Sequence, residues 1–209
     1  MNFFPLLRNV FVYLALSVGT FLMARTIIGY SGFDTNVGFL QAKQDYIHIR
    51  IWMVAFYTHV FFSIFVLVAG FFQFSNYILH HHRRIHRFIG KMYAWNIFLI
   101  NFPAGFIMAI YANGSWPSKL AFLILDCLWF FFTLKAVIAI KGKKVREHRE
   151  FMIRSYALTC SALTLRTWKL ILIATTDLDP GLIYMIDAWL GFVPNLLFAE
   201  WLIRNMRKK

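Results

Sequence analysis

Several continuous apolar runs, each close to the ~20 residues that cross a ~30 Å hydrocarbon layer, constrain this chain more than any other feature. Of its 209 residues, 60% are hydrophobic and 15% are charged. A soluble domain is only about half apolar and roughly one quarter charged. Backbone amides in lipid must be hydrogen-bonded internally, and these runs are too long for barrel strands of about 10 residues. The sequence therefore predicts an all-α integral membrane protein.

The apolar runs predict a six-helix transmembrane bundle that forms one domain over residues 1–209. The predicted spans are about 7–30, 50–74, 88–112, 119–141, 150–174 and 182–203. Polar, turn-forming segments such as Ser31 to Gln44 and Asp177 to Gly181 separate them. Pro103 and Pro194 lie within spans 3 and 6, where a proline is expected to break the helix.

Basic residues concentrate in two loops and in the C-terminal tail, which places these three segments on one side of the membrane. They are Arg83, Arg84, Arg87 and Lys91; Lys141, Lys143, Lys144, Arg146 and Arg149; and Arg204, Arg207, Lys208 and Lys209. The positive-inside rule then predicts that both termini are cytoplasmic. The net charge of +13 is expected to face anionic lipid at the cytoplasmic surface and not nucleic acid.

Spans 2, 3 and 5 each carry small or polar side chains at alternating spacings of three and four residues, which places them on one helix face. The three stripes are His48, Trp52, Ala55, His59, Ser63, Val66, Gly70 and Gln73; His86, Gly90, Tyr93, Ile97, Asn101, Ala104 and Met108; and His148, Met152, Ser155, Thr159, Ala162, Arg166 and Lys169. Ionisable groups at membrane depth normally face the bundle interior. We therefore expect the three stripes to face one another.

A buried polar cluster is predicted near the middle of the bilayer. Asp126 lies ~10 Å along span 4 from Lys119, at a depth comparable to that of Arg166 on span 5. A lone charge there is far costlier than a paired one, so we predict that Asp126 pairs with Arg166 or Lys169. His59 and Asn101 complete the cluster. Two interpretations remain open, a set of contacts that fixes helix register and a functional site.

His86 and His148 each begin a span on the cytoplasmic side and lie on its polar stripe, so we expect them to face one another. Imidazole is a common axial ligand of haem iron, and helical bundles hold haem between facing helices. Gly90, one turn beyond His86, is expected to leave room for a flat ligand. His59 is a candidate ligand of a second haem or a quinol-binding group. It has no histidine partner there, because His48 is ~16 Å away along the same helix.

Several stretches resemble a large bacterial family of predicted membrane proteins catalogued as domain of unknown function 2306. They are Tyr57 to Val60, Gly70 to Phe74, His81 to Tyr93, His148 to Ala157, Thr164 to Trp168, and Pro194 with Asn195. This resemblance implies a multi-pass protein of the bacterial inner membrane but no particular activity. More loosely, the chain is similar to the ascorbate-reducible b-type cytochromes. It departs from them in span 4, where Asp126 and Cys127 occur but no histidine, so one of four expected ligands is missing.

Three functional hypotheses follow. The first is a b-type cytochrome or membrane oxidoreductase, with haem b held by His86 and His148 and a quinone or other redox partner. The second is a small-solute or proton-coupled transporter that uses the mid-bilayer cluster, with alternating access favouring a homo-oligomer. The third is a non-catalytic assembly partner. The sequence has no Gly-rich phosphate loop, nucleophile elbow or zinc-spaced Cys/His set, which argues against the common soluble enzymes.

Overall fold

The computed structural model describes the backbone of residues 3–208 and the side chains of residues 13–208. In this part of the chain the α-helices are α1 Phe3–Ile28, α2 Arg50–Gln73, α3 Asn76–His81, α4 Arg83–Asn96, α5 Phe102–Ile110, α6 Trp116–Lys141, α7 Val145–Thr159, α8 Ser161–Thr175, α9 Pro180–Leu190 and α10 Val193–Arg207. A 3-10 helix, Gly38–Lys43, lies between α1 and α2, and a π-helical turn, Ile97–Asn101, joins α4 to α5. Residues 3–208 contain no β-strand, so the predicted all-α class is confirmed.

Five helical units within the described residues are long and apolar enough to cross a membrane. They are α2, α4 with α5, α6, α7 with α8, and α9 with α10. The predicted multi-pass helical membrane protein is therefore confirmed. The first predicted span, 7–30, lies partly outside the residues whose side chains are described. Its described apolar part, Tyr13–Ile28, is shorter than the others, so the sixth span stays a prediction.

The helices extend beyond the apolar runs that predicted them. The α4 helix begins at Arg83 and α7 begins at Val145, each five residues before the predicted span. An apolar run marks the hydrocarbon layer, whereas helical hydrogen bonds continue into the polar interface. The segment expected to be a plain basic loop also contains the short helix α3. The Ser75 hydroxyl caps it by accepting a hydrogen bond from the Ile78 amide at 3.4 Å.

Two spans are interrupted at the prolines that the sequence singled out. Pro103 has no amide hydrogen and cannot donate to the carbonyl of Leu99 four residues earlier, and the π-helical turn occurs just before it. This wider turn carries Asn101, whose side chain is fully buried. In the last unit, α9 ends at Leu190 and α10 begins at Val193, next to Pro194.

The bundle core lies where α2, α4, α6 and α7 meet. Val66, Tyr93, Trp129 and Tyr156 belong to one buried cluster, and α6 with α7 forms the most extensive helix pair. Gly70 allows α2 to pack closely against Tyr156 of α7. A Cβ atom at Gly70 would lie 1.9 Å from Cζ of Tyr156. The hydroxyl of Tyr156 donates to the Leu67 carbonyl at 2.9 Å, which fixes the ring against the glycine.

We call the two ends of the bundle the cap end and the basic end. The cap end carries the α1–α2 loop, residues 29–49, in which Leu40 and Lys43 are buried. The basic end carries the α2–α4 connection, the α6–α7 turn and the end of α10. The loop at the cap end folds over α2 and α5, because Tyr30, Leu40, Trp52 and Phe56 form a second buried cluster.

Lys43 anchors the loop at the cap end. Its ammonium nitrogen donates to the carbonyl of Tyr111 at 2.5 Å and lies 5.0 Å from the ring centroid of Tyr46 and 5.9 Å from that of Trp52. Aromatic faces stabilise a cation at such distances. Burial nevertheless lowers the pKa of Lys43 to about 8, and the positive charge of Lys119 also lowers it.

We expect the substitution Gly70→Ala to destabilise the protein by roughly 1–3 kcal/mol, because the added methyl group collides with a ring that is hydrogen-bonded in place. The measurement is thermal unfolding of the purified protein in detergent. Gly32→Ala is the control, since a Cβ atom there meets nothing within 4 Å. A melting temperature of Gly70→Ala equal to that of the control would contradict this packing.

The wild-type protein should become more stable as the pH rises from about 8 to about 10, relative to Lys43→Met. The folded pKa of Lys43, about 8, lies below its ordinary value of 10.5, so in this window the unfolded chain binds more protons. The extra slope approaches ~1.4 kcal/mol per pH unit. Melting temperatures measured across this range test it, with Lys91→Met, which changes an exposed lysine, as control. Parallel pH profiles for wild type and Lys43→Met would refute the buried position.

Candidate functional site

The basic end brings together the two histidines that the sequence paired. His86 lies in the first turn of α4 and His148 in the first turn of α7, and a charge on one ring acts on the other. Nδ1 of His148 donates to the Ala136 carbonyl at 2.9 Å, which fixes the ring and leaves Nε2 free to accept or to ligate. Nδ1 of His86 is buried and has no hydrogen-bond partner. The pair therefore has unused nitrogen lone pairs.

The side chain of Gln73 occupies the space beside this pair that Gly90 was expected to leave open for a ligand. Its amide nitrogen donates to the His86 carbonyl at 2.9 Å. A Cβ atom at Gly90 would lie 3.1 Å from Oε1 of Gln73. The expectation that Gly90 leaves room for a flat ligand is therefore wrong as the side chains stand, because a glutamine from α2 packs over the glycine.

A network of hydroxyl groups lies inward from the histidines. The Tyr93 hydroxyl is 2.8 Å from both Ser155 Oγ and Thr159 Oγ1. Ser155 is in turn 2.7 Å from the Thr133 hydroxyl, and Trp129 Nε1 donates to Thr159 at 3.1 Å. These bonds join α4, α6 and α7. The polar stripes predicted on spans 3 and 5 thus face one another here.

Farther toward the cap end, the π-helical turn presents Asn101 to α2. The Asn101 amide donates to Oδ1 of Asn96, and Asn96 donates to the Phe62 carbonyl at 3.2 Å. His59 lies near the backbone of Asn101, and its Nδ1 is buried without a partner. Oδ1 of Asn101 is likewise unpartnered. The structure therefore brings His59 and Asn101 together, as the sequence predicted.

Arg166 and Lys169 are exposed on α8 and are not in the predicted buried cluster, and the acid near them is not the predicted one. The Arg166 guanidinium donates to the Ala162 carbonyl of its own helix at 2.7 Å, and the acid that acts on it is Asp187. Lys169 also acts on Asp187, which belongs to α9 and is only 2% exposed. Oδ1 of Asp187 has no hydrogen-bond partner.

The predicted pairing of Asp126 with Arg166 or Lys169 is not present. Among the described side chains, no salt bridge within 4.0 Å includes Asp126. Its Oδ1 instead lies 2.8 Å from where a Cβ atom of Gly105 would stand, and its Oδ2 is unpartnered. Asp126 therefore faces α5, on a different side of the bundle from α8. Asp187, seven residues into α9, was missed, although an acid ~10 Å inside a span was a sufficient signal.

Within the described residues, no group of three or more His, Cys, Asp or Glu side chains could hold a metal ion. His80 and His81 bond only to the carbonyls of Asn76 and Tyr77 in their own exposed helix. His86 and His148 are a set of only two donors, which suits ligation of a macrocycle-bound iron rather than a metal held by protein alone.

The family described as predicted membrane protein (DUF2306) matches residues 56–203, more than two thirds of the chain. This range contains His59, the pair His86 and His148, and the basic residues Arg166 and Lys169 of α8. No curated protein and no solved structure matches the chain. The looser similarity to b-type cytochromes stays a prediction. The resemblance to the DUF2306 family is confirmed, and the chain belongs to this family of predicted membrane proteins.

Proposed function

We propose that this protein is a b-type haem protein of the membrane that transfers electrons, with His86 and His148 as the axial ligands. The proposal is supported by the positions of His86 and His148 in the first turns of α4 and α7, where a charge on one ring acts on the other. A backbone carbonyl also holds Nδ1 of His148. A histidine that ligates a metal usually donates a hydrogen bond from its other ring nitrogen, often to a backbone carbonyl. This bond fixes the tautomer and the orientation of the ring.

The residues present fit axial ligation. His148 keeps Nε2 free, and the buried Nδ1 of His86 has no protein partner that ligation would break. Arg83 and Arg87 share the exposed first turns of α4 and supply positive charge for the carboxylates of a haem. Gln73 must turn away from Gly90 for a macrocycle to enter. When bound, the haem would supply a one-electron redox couple.

The chain's own residues would hold the cofactor and tune its surroundings. Tyr93, Ser155 and Thr159 form a closed hydrogen-bond network inward from the histidines, so their hydroxyl groups are already satisfied. This network keeps α4 and α7 at a separation bridged by one tyrosine side chain. It would thereby hold in place the two helices whose residues His86 and His148 would bind the haem.

We also infer that the protein has six spans with both termini in the cytoplasm of a bacterial inner membrane. The 26-residue helix α1 is ~39 Å long, which is sufficient to cross a bilayer. The basic end holds most of the arginines and lysines, and the cap end carries Asp34, Asp45, Asp177 and Asp179. The positive-inside rule favours the basic end as cytoplasmic.

The haem proposal predicts that the purified wild-type protein shows Soret and alpha absorption bands, and that His86→Ala and His148→Ala abolish the six-coordinate spectrum. Removing either imidazole leaves one axial position without its ligand. The matched controls are His80→Ala and His82→Ala, which change exposed histidines of the same segment and should keep the spectrum. Thermal unfolding shows whether each variant is folded. A folded, colourless wild-type protein, or an unchanged spectrum in His148→Ala, would refute the proposal.

A further inference from the structure

We propose that the mid-bundle cluster formed by His59, Asn101, Arg166, Lys169 and Asp187 binds the head group of a lipid-soluble quinone. The inference deepens the proposed function by naming a redox partner class, and it rests on that function for its biological role. Binding itself depends only on the cluster, which is separate from the histidine pair.

The members of the cluster lie at one level of the bundle. His59 is nine residues from the start of α2, Asn101 is nine from the end of α5, and Arg166 is nine from the end of α8. At 1.5 Å per residue each is ~14 Å from the cap end of its helix. Asp187 is ~10 Å from the start of α9. Four helical units thus bring polar groups to about the middle of the membrane.

These groups have hydrogen-bonding capacity that the protein does not use. Nδ1 of His59, Oδ1 of Asn101 and Oδ1 of Asp187 are all buried without partners. Buried polar atoms are nearly always paired, because each unpaired one costs free energy. Arg166 and Asp187 attract one another but are more than 4 Å apart, so they do not close into an ion pair. A third molecule between them would satisfy both.

The cluster contains both donors and acceptors, so it favours a ligand that can both accept and donate hydrogen bonds. Arg166 and Lys169 offer hydrogen-bond donors, which suit the carbonyl oxygens of a quinone. The carboxylate of Asp187 and the imidazole of His59 accept hydrogen bonds, which suits the hydroxyl groups of a quinol. A simple anion would satisfy the cations alone and leave Asp187 opposed by like charge.

The location favours a ligand that arrives through lipid. The side chain of Arg166 is exposed at the outer surface of the bundle. Between Arg166 and the cap end, α8 exposes Leu170 and Ile173, which are 70% and 56% accessible and form an apolar surface. A quinone enters from the bilayer without loss of a hydration shell. A water-soluble anion would have to shed its hydration to reach this level.

The test is saturable quenching of tryptophan fluorescence by decylubiquinone, measured on the full-length protein in detergent micelles. Trp168 is two residues from Arg166 and serves as a nearby reporter. We expect Arg166→Gln to bind roughly tenfold or more weakly, because a charge-assisted donor is lost. Arg50→Gln removes the same charge from an exposed position at the start of α2 and should bind like wild type.

A second variant keeps the test decisive if Arg166→Gln does not fold. Asp187→Asn preserves shape but removes the acceptor charge, and it should weaken binding of the reduced probe, decylubiquinol, more than that of the quinone. Equal affinities of wild type and folded Arg166→Gln would overturn the inference, as would competition by succinate. Quinone binding without a haem spectrum refutes the haem proposal alone. A haem spectrum without saturable quenching refutes this inference alone.

Discussion

Hydrogen bonds between side chains of different helices hold the interior of this bundle in one arrangement. Lipid offers no partner for a hydroxyl or amide, so each such group inside a membrane protein must find one within the protein. The Tyr93 hydroxyl meets this requirement for α4 and α7 at once, through Ser155 and Thr159. Thr133 and Trp129 connect the same network to α6. The contact of Gly70 with Tyr156 then brings α2 against this group.

The same arrangement determines where chemistry can occur. All hydroxyl groups of the network have hydrogen-bond partners, so the network serves a structural role. On either side of it lies a site whose polar atoms lack such partners. Toward the basic end, Nδ1 of His86 is buried without a partner, and Nδ1 of His148 bonds to the Ala136 carbonyl. Toward the cap end, His59, Arg166 and Asp187 keep bonding capacity that no neighbouring side chain uses. Except for Asp187 on α9, the residues of both sites belong to the polar stripes of spans 2, 3 and 5.

The sequence predicted the features that depend on local pattern. Apolar run length gave the spans, and spacings of three and four gave the faces on which His86, Tyr93 and Ser155 meet. The sequence could not predict features that depend on the rotation of each helix relative to its neighbours. Depth along a helix put Asp126 level with Arg166, but only packing decides that Asp126 faces Gly105 and that Asp187 faces Arg166. Likewise, no local signal places Lys43 of a polar loop inside an aromatic cluster.

In the proposed function, His86 of α4 and His148 of α7 would together hold one haem iron. Electron paramagnetic resonance of the oxidised, purified protein tests this directly, since the signal of ferric haem reports its axial ligands. We predict a low-spin spectrum of the bis-imidazole type. A high-spin spectrum, or no ferric haem signal from a folded preparation, would contradict the account.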